Sequence, residues 1–553
     1  MVRDSGPAPA APRARLLLAL LVLWHLANGA LAISRDNYIM LPDATDLYAL
    51  SVRAAAELRA GQPGEALRIL WGDPQRGPLG FLPAVALQAL GGGASPRLAR
   101  ASGLLWLALL LLATYLVGCR LHSPEAGLLS AALLAAMPLV MGFSRLFWLD
   151  LPLVAMTALS VWALLRTEGF ARPRAALLLG LVAGLGLLVK HGLPLFLGPV
   201  ALVYLALSLR RAEPGRRWRR LALAALAGLV ALAVFATWAA FHAEYVVRAL
   251  RMAIPGVLAR EAPGIASAGA DPARFTHYLI AIPTRSAGPL LSALYVVAFA
   301  ALVRRDRRRI LGLTGAWLWG SVALLSLVFV PWDRYALPAL AAMALATGAG
   351  LLQLPALRRH RTRAVPALCA LLALLALQQS WFGPRQDTWF VRHPWPASER
   401  PFKSGMVRPH APAPRRPDLR GIAPWPSLSF AVVPTRLWPA GRPPPFDRLM
   451  ESVWQWLITD TERLVNCDEL APDAPLTPAR LARNHLLFVA RPDDPRAVPP
   501  DQRRLYRRVR RLVRQDPRRW RPVLEQPYPH QARLRVFRNL RPVPAGGGEA
   551  FQW

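Results

Sequence analysis

Between Ala175 and Leu209 the chain reads "AALLLGLVAGLGLLVKHGLPLFLGPVALVYLALSL". Two apolar runs, Ala175–Val189 and Leu193–Leu209, are parted only by Lys190, His191 and Gly192. The first run would be about 22 Å long as a helix, short of a hydrocarbon core of about 30 Å. Its partner begins at once, at Leu193-Pro194. The stretch therefore predicts a tight helical hairpin whose tip lies below the outer membrane interface. An ammonium group there needs water or an anion. A tilted hairpin with a snorkelling lysine accounts for the same residues equally well.

The same pattern recurs along the chain. Apolar segments lie near Leu16–Ile33, Leu104–Leu121, Ala126–Phe143, Leu151–Leu165, Leu221–Phe241, Ala287–Val303, Ile310–Val330, Ala336–Leu352 and Ala364–Leu377. With the two of the hairpin they predict about eleven transmembrane helices. The first follows a basic N-terminal stretch as a signal peptide would, but it is long enough to span and reads as an uncleaved helix. Of 553 residues, 54% are hydrophobic, and the net charge is +35. That charge would suit a soluble nucleic-acid binder, but the many span-length apolar runs exclude one. The charge is almost all arginine, Lys190 and Lys403 being the only lysines, which fits a GC-rich, bacterial genome. Cys119, Cys369 and Cys467 are far apart and form neither a disulfide framework nor a metal pattern.

The arginines orient the chain. With the N-terminus inside, the tail and the connections "CRLHSPE", "RTEGFARPR", "RRAEPGRRWRR", "RRDRRR" and "RRHRTR" hold 22 Arg. The short opposite connections "SRLFWL", "KHG" and "PWDRY" hold only Arg145, Lys190 and Arg334. This is the bias that the positive-inside rule describes. An odd number of spans then places everything after Leu377 outside. The sequence thus predicts a mainly α, polytopic membrane domain over 1–380, with external loops at 34–103 and 242–286. A Pro/Arg-rich linker follows at 381–425, then a small extracytoplasmic α/β domain at 426–553. In that domain "LSFAVVPTR", "HLLFVARP" and "ARLRVFRNL" read as strands. "FDRLMESVWQWLI" and "DQRRLYRRVRRLVRQ" read as helices. The arginines of the second helix form a solvated face or a contact with anionic headgroups.

Charged residues on the outer side are the candidates for chemistry. Asp43 and Asp46 precede an amphipathic helix in the first loop, where Asp46 or Thr45 would serve as its N-cap. Asp150, ahead of Leu151-Pro152, would cap the start of a span, and Arg145 would snorkel to headgroups. Carboxylates meeting at this face would instead suit proton abstraction or cation binding.

Six stretches, in order, resemble one family. They are "PDATDLYALSVRAAAELRAGQP", "RGPLGFLPAVALQALGGGASPRLAR", "AAMPLVMGFSRLFWLDLPLVAMTALSVWALLR", "GLVAGLGLLVKHGLPLFLGPV", "RFTHYLIAIPTRSAGPLL" and "DRYALPALAAMALATGAGL". Together they are similar to the dolichyl-phosphate-mannose-protein mannosyltransferase-like glycosyltransferases of the GT-C fold, which include the lipid A aminoarabinose transferases. The resemblance covers residues 16 to about 380. It implies Asp46 as the catalytic first-loop acid and Asp150 as the second-loop acid. It places Lys190 and Arg334, with Arg145, His191 and Tyr335, near a donor phosphate. Leu47 stands where the family often has Glu, which keeps Asp43 in play, and Gly77-Pro78-Leu79 replaces Pro-Pro-Leu. The implied activity moves a sugar from a polyprenyl-phosphate donor to a glycan, lipid or protein acceptor at the outer face of the plasma membrane. Membrane lipids are the other partners and nucleic acid is none. No cofactor is certain; a divalent cation is a candidate. The rival functions are a transporter or flippase, and a catalytically degenerate relative.

Overall fold

The computed structural model describes residues 12–35, 42–74, 76–93, 95–252, 272–328, 333–381, 427–433, 464–469, 486–492, 507, 510–518, 520–528 and 532–539. The chain divides into two compact units. The first comprises Met1–Asp36, Gly61–Leu87 and Arg97–His393; the second comprises Asn37–Ala60, Gln88–Pro96 and Pro394–Trp553.

The first unit is helical. Its helices run α1 (Pro12–Arg35), then, after α2 (Pro42–Arg59) of the second unit, α3 (Pro63–Trp71), α4 (Leu82–Leu90, which crosses the unit boundary), α5 (Pro96–Leu121), α6 (Pro124–Ala135), α7 (Pro138–Phe143) and α8 (Asp150–Arg166). They continue with α9 (Pro173–Val189), α10 (Leu193–Arg210), α11 (Pro214–Ala239), α12 (Ala243–Met252) and α13 (Pro272–Ala281). The last are α14 (Pro289–Arg304), α15 (Arg308–Gly315), α16 (Ser321–Val328), α17 (Leu337–Leu351), α18 (Pro355–Arg359) and α19 (Arg361–Trp381). Among the described residues five helices are long and apolar enough to cross a membrane, or six counting one bent pair. Exposed Leu16, Leu20 and Leu23 on α1, and Leu371 and Leu374 on α19, lie at helical spacing, as lipid-facing stripes do. The chain is a multi-pass membrane protein.

Over its described residues each of the eleven predicted apolar segments coincides with a helix or a run of helices, but two are interrupted and a third opens on a sharp corner. Ala126–Phe143 is not one rod. Met137 is extended and Pro138 opens α7, because proline cannot continue the preceding helix. Ile310–Val330 passes through a π-helical turn at Ala316–Gly320. Ahead of Ala287–Val303, the chain turns through 112° between Thr276–Ser286 and Pro289–Arg304. Gly288 makes that corner at φ 86°, a left-handed conformation that suits glycine.

α17 is the axis of this unit, buried along its whole length. Its sequence "LPALAAMALATGAGL" is small-residue-rich, so neighbouring backbones come close. A Cβ at Gly348 would meet Ser130 and the Ala126 carbonyl of α6, and one at Gly350 would meet the Ala298 carbonyl of α14. α9 packs on α11 in the same manner. Gly180 and Gly184, four residues apart, lie against Ala227, Val230, Ala231 and Val234.

The second unit contains α2, whose Ser51 hydroxyl accepts a 2.8 Å bond from Gln88 Nε2. It also holds a five-stranded sheet of order β2-β1-β3-β5-β4: β1 (Ser427–Val433), β2 (Leu464–Glu469), β3 (Leu486–Pro492), β4 (Trp520–Tyr528) and β5 (Ala532–Asn539). β1 runs parallel to β2 and β3, β5 antiparallel to β3 and β4, and an irregularity falls between Pro522 and Leu524. Three strands match the sequence prediction; β2 and β4 are additional. Residues 510–515 are helical, within the predicted basic helix. The predicted helix at 446–458 lies outside the described residues.

Candidate active site

The hairpin tip organises the site. α9 ends at Val189, and Lys190 turns extended at φ −159°. Its Nζ donates to Asp150 Oδ1 at 2.8 Å, across 40 residues of sequence. Asp150 is 1% exposed, whereas the Lys190 side chain is 31% exposed, so the pair joins a buried carboxylate to an ammonium that reaches solvent. Asp150 Oδ2 finds no partner among the described residues. The predicted cap at Asp150 is not made. Asp150 is the first residue of α8 and no side chain caps that end; the carboxylate is engaged by Lys190 instead. Its charge still sits favourably at a helix N-terminus.

Two glycines explain why these groups meet. A Cβ at Gly77 would overlap the backbone of Leu188, two residues before Lys190. A Cβ at Gly80 would overlap Leu149, next to Asp150, and contact the Val189 carbonyl at 3.6 Å. The turn "GPLG" is thus wedged between the end of α9 and the start of α8. A proline at position 77 would carry the Cβ that this contact refuses.

Arg334 and Tyr335 lie on the three-ten turn Asp333–Ala336. The Arg334 guanidinium stands 5.0 Å from the Trp148 ring centroid and 5.2 Å from that of Tyr335. Lys190 Nζ lies 6.0 Å from the Tyr335 centroid. The Tyr335 ring therefore neighbours two cations, and its quadrupole attracts both. Trp148 is itself buried and set edge-on to Phe143. The structure thus gathers Asp150, Lys190, Arg334 and Tyr335, residues far apart in sequence.

His191 is placed differently. Its ring packs on Trp238 at 4.5 Å and on Phe235 at 5.4 Å. Trp238 is fully buried, donates from Nε1 to the Asp73 carbonyl at 3.3 Å, and touches the His242 ring at 4.8 Å. His191 Nδ1 lies 3.2 Å from the Leu187 carbonyl, which can only accept, so Nδ1 carries the proton. Burial pushes this imidazole below its ordinary pKa, the Leu187 carbonyl opposing. Nε2 is then a buried acceptor with no partner among the described residues.

The carbonyl of Arg145 accepts from Nε of buried Arg100 at 2.7 Å, which pins the connection between α7 and α8. Asp43 and Asp46 fall within α2 rather than ahead of it, so neither is the predicted N-cap. Their side chains lie outside the described residues. Arg285 was missed by sequence reasoning. It sits in the π-helical turn Ile282–Ser286, which packs against Asp333–Ala336 and α7. An arginine inside the apolar stretch "YLIAIPTRSAGPLL" is the signal that could have found it. Among the described residues no group of His, Cys, Asp and Glu could hold a metal ion.

Comparison with known proteins agrees with this architecture. Residues 76–241 match the family model for dolichyl-phosphate-mannose-protein mannosyltransferase. The structure of ArnT from Cupriavidus metallidurans bound to undecaprenyl phosphate superposes with TM-score 0.57 at 15% identity, over 95% of this chain and 98% of that one. The same protein in the apo state gives 0.56 at 15% identity, with the same coverage. The Archaeoglobus fulgidus oligosaccharyltransferase in the apo form gives 0.45 at 14% identity, over 82% of this chain and 64% of that one. No curated protein matches by sequence. The resemblance to the mannosyltransferase family is shown by the matched segment, and the fold is that of ArnT.

Proposed function

We propose that this chain, with its mannosyltransferase-family segment and ArnT-type fold, is a membrane glycosyltransferase that uses a polyprenyl-phosphate-linked sugar at the outer face of the plasma membrane. The observation that carries this reading is the cluster of Lys190, Arg334 and Tyr335, with Lys190 bonded to buried Asp150. Two cations held in fixed places suit a lipid phosphate, which must be bound before reaction and stabilised as it leaves. The likeness to a protein solved with undecaprenyl phosphate supports the choice of donor.

The chemistry follows. An acceptor hydroxyl or phosphate attacks the anomeric carbon, the bond from that carbon to the phosphate oxygen breaks, and configuration inverts. The lipid phosphate departs with the bonding pair, and Lys190 and Arg334 stabilise its charge. Asp46 takes the acceptor's proton, with Asp43 the alternative base. Asp150 serves as counter-ion, holding the Lys190 ammonium in place. His191 fastens the hairpin tip through Trp238; its buried lone pair suits a hydroxyl better than a phosphate. The Arg145 backbone carbonyl, bonded to Arg100, braces the segment that carries Trp148.

The test uses purified full-length protein in nanodiscs with a synthetic polyprenyl-phosphate sugar and a nucleotide sugar in parallel. Transfer from the lipid donor alone is expected. Transfer from the nucleotide sugar with no lipid carrier present, or uptake into proteoliposomes without transfer, would overturn the proposal.

A further inference from the structure

A second polar cluster, apart from the Lys190 site, joins residues at the ends of α5, α15 and α17 through side-chain bonds. His122 follows directly on α5, Arg307 precedes α15, Gln353 follows α17, and Arg361 opens α19. Gln353 is buried, and its amide orientation is fixed by three contacts. Nε2 donates to His122 Nε2 at 2.6 Å and to the Ala349 carbonyl at 3.2 Å, while Oε1 accepts from Arg307 at 3.5 Å. Turning the amide over would set oxygen against a carbonyl and nitrogen against a guanidinium.

His122 Nε2 is therefore an acceptor, and Nδ1 carries the proton. Burial, then the charge of Arg307, holds this imidazole below its ordinary pKa, with Arg361 adding to the effect and Glu125 opposing it. The ring is neutral, with a single N–H. That N–H is buried and has no acceptor among the described residues. An orphaned donor is costly; Arg307, bonded to the Gln353 that holds the ring, and Arg361, on the helix α19 that packs against α6 just after His122, make the missing acceptor an anion. Arg307 and Arg361 are exposed and His122 is half-buried.

The level of the cluster narrows the anion. α5 and the stretch Arg361–Gln379 are both of span length and apolarity. His122 lies one residue past the first, and Arg361 is the first residue of the second. The donors thus stand at headgroup depth. We propose that His122 Nδ1, Arg307 and Arg361 bind the phosphate of an anionic phospholipid. This site lies among the arginine-rich connections and is independent of sugar transfer. Basic pockets between membrane helices are known to suit such headgroups.

The test measures thermal unfolding of the full-length protein in neutral detergent, titrated with phosphatidylglycerol, phosphatidylcholine or inorganic phosphate. Phosphatidylglycerol should raise the melting temperature and phosphatidylcholine should not. Arg361→Gln should raise the half-saturating concentration about tenfold, as the loss of one charge-assisted contact does. Arg307→Gln/Arg361→Gln should abolish the shift, and Arg359→Gln, on a neighbouring arginine, should leave it unchanged. Inorganic phosphate giving an equal shift, lost in the same variants, would support the site with a soluble occupant. His122→Phe should also lose the shift; if it fails to fold, Arg361→Gln, which spares the Gln353 bonds, carries the test. Equal response to the two lipids, or an unchanged response in the double variant, would overturn the proposal.

Discussion

Asp150 shows how a single carboxylate can be accounted for in two ways. Sequence alone favours a helix cap, since an acid before Leu-Pro at the start of a span commonly satisfies free N–H groups. A lysine 40 residues away takes it instead. Lys190→Ala should therefore have two separable effects. Donor use should fall roughly ten- to 150-fold with the lost charge-assisted contact, and stability should fall because Asp150 is left buried and unpaired. Asp150→Asn/Lys190→Ala should recover the melting temperature without recovering activity. If both recover together, Lys190 acts only on folding. Asp46→Asn should abolish turnover with donor binding intact, and Asp43→Asn should be milder. Donor-binding titrations beside turnover assays decide this, and the reverse order would make Asp43 the base. His122 supplies a pH prediction. Its folded-state pKa lies below the unfolded value of 6.5, so its contribution to stability is fully present above that pH. It is lost as pH falls below 6.5 towards the folded pKa. In neutral detergent, the melting temperature should drop on acidification more in the wild type than in His122→Gln.

At the scale of elements, the hairpin that first suggested a membrane fold is also what aims the lysine. Gly180 and Gly184 let α9 close on α11, and Gly77 lets the "GPLG" turn press on its end. Gly77→Ala should cost about 1–3 kcal/mol through overpacking. It should also lower donor use, since the displaced backbone carries Lys190 with it. Normal stability and normal KM together in that variant would mean the contact is dispensable. What was legible here followed the physics. Apolar runs mark helices whether they face lipid or the core, so all eleven segments were visible, although only five or six of the described helices are long and apolar enough to cross a membrane. Breaks such as Met137-Pro138 and the π-helical turn at Ala316–Gly320 were hidden, because apolarity continues through them. In the sheet, β1, β3 and β5 were legible and β2 and β4 were not. The missed pair are the two edges of the order β2-β1-β3-β5-β4. Edge strands tolerate charge and proline; "LVNCDE" ends on two acids, and "WRPVLEQPY" carries both charge and proline. The site was legible only as scattered charges. The Lys190–Asp150 bond and the Arg334 stack on Trp148 depend on tertiary packing between distant segments, which no local pattern encodes.

For the whole molecule, the distribution of arginine makes a prediction about sidedness. The connections after α5, α8, α10, α14 and α18 belong to the arginine-rich set, whereas Arg145, Lys190 and Arg334 stand alone in theirs. A bilayer with a negative inner surface retains the first set on the cytoplasmic side. On that orientation the Lys190–Asp150 pair and the His122–Gln353 cluster would lie on opposite faces, the first proposed for chemistry and the second for lipid binding. The odd number of crossings predicted from the sequence would leave the chain beyond α19 outside. A phosphatase reporter fused after Trp425 should accordingly be active, while a reporter that works only in the cytoplasm should be silent at the same position. Fusions after Arg211 and Arg305, in two arginine-rich connections, should give the opposite pair of results. Active cytoplasmic reporter and silent phosphatase after Trp425 would reverse the orientation. The Lys190 cluster would then face nucleotide sugars rather than the outer leaflet, and the proposed donor would have to change with it.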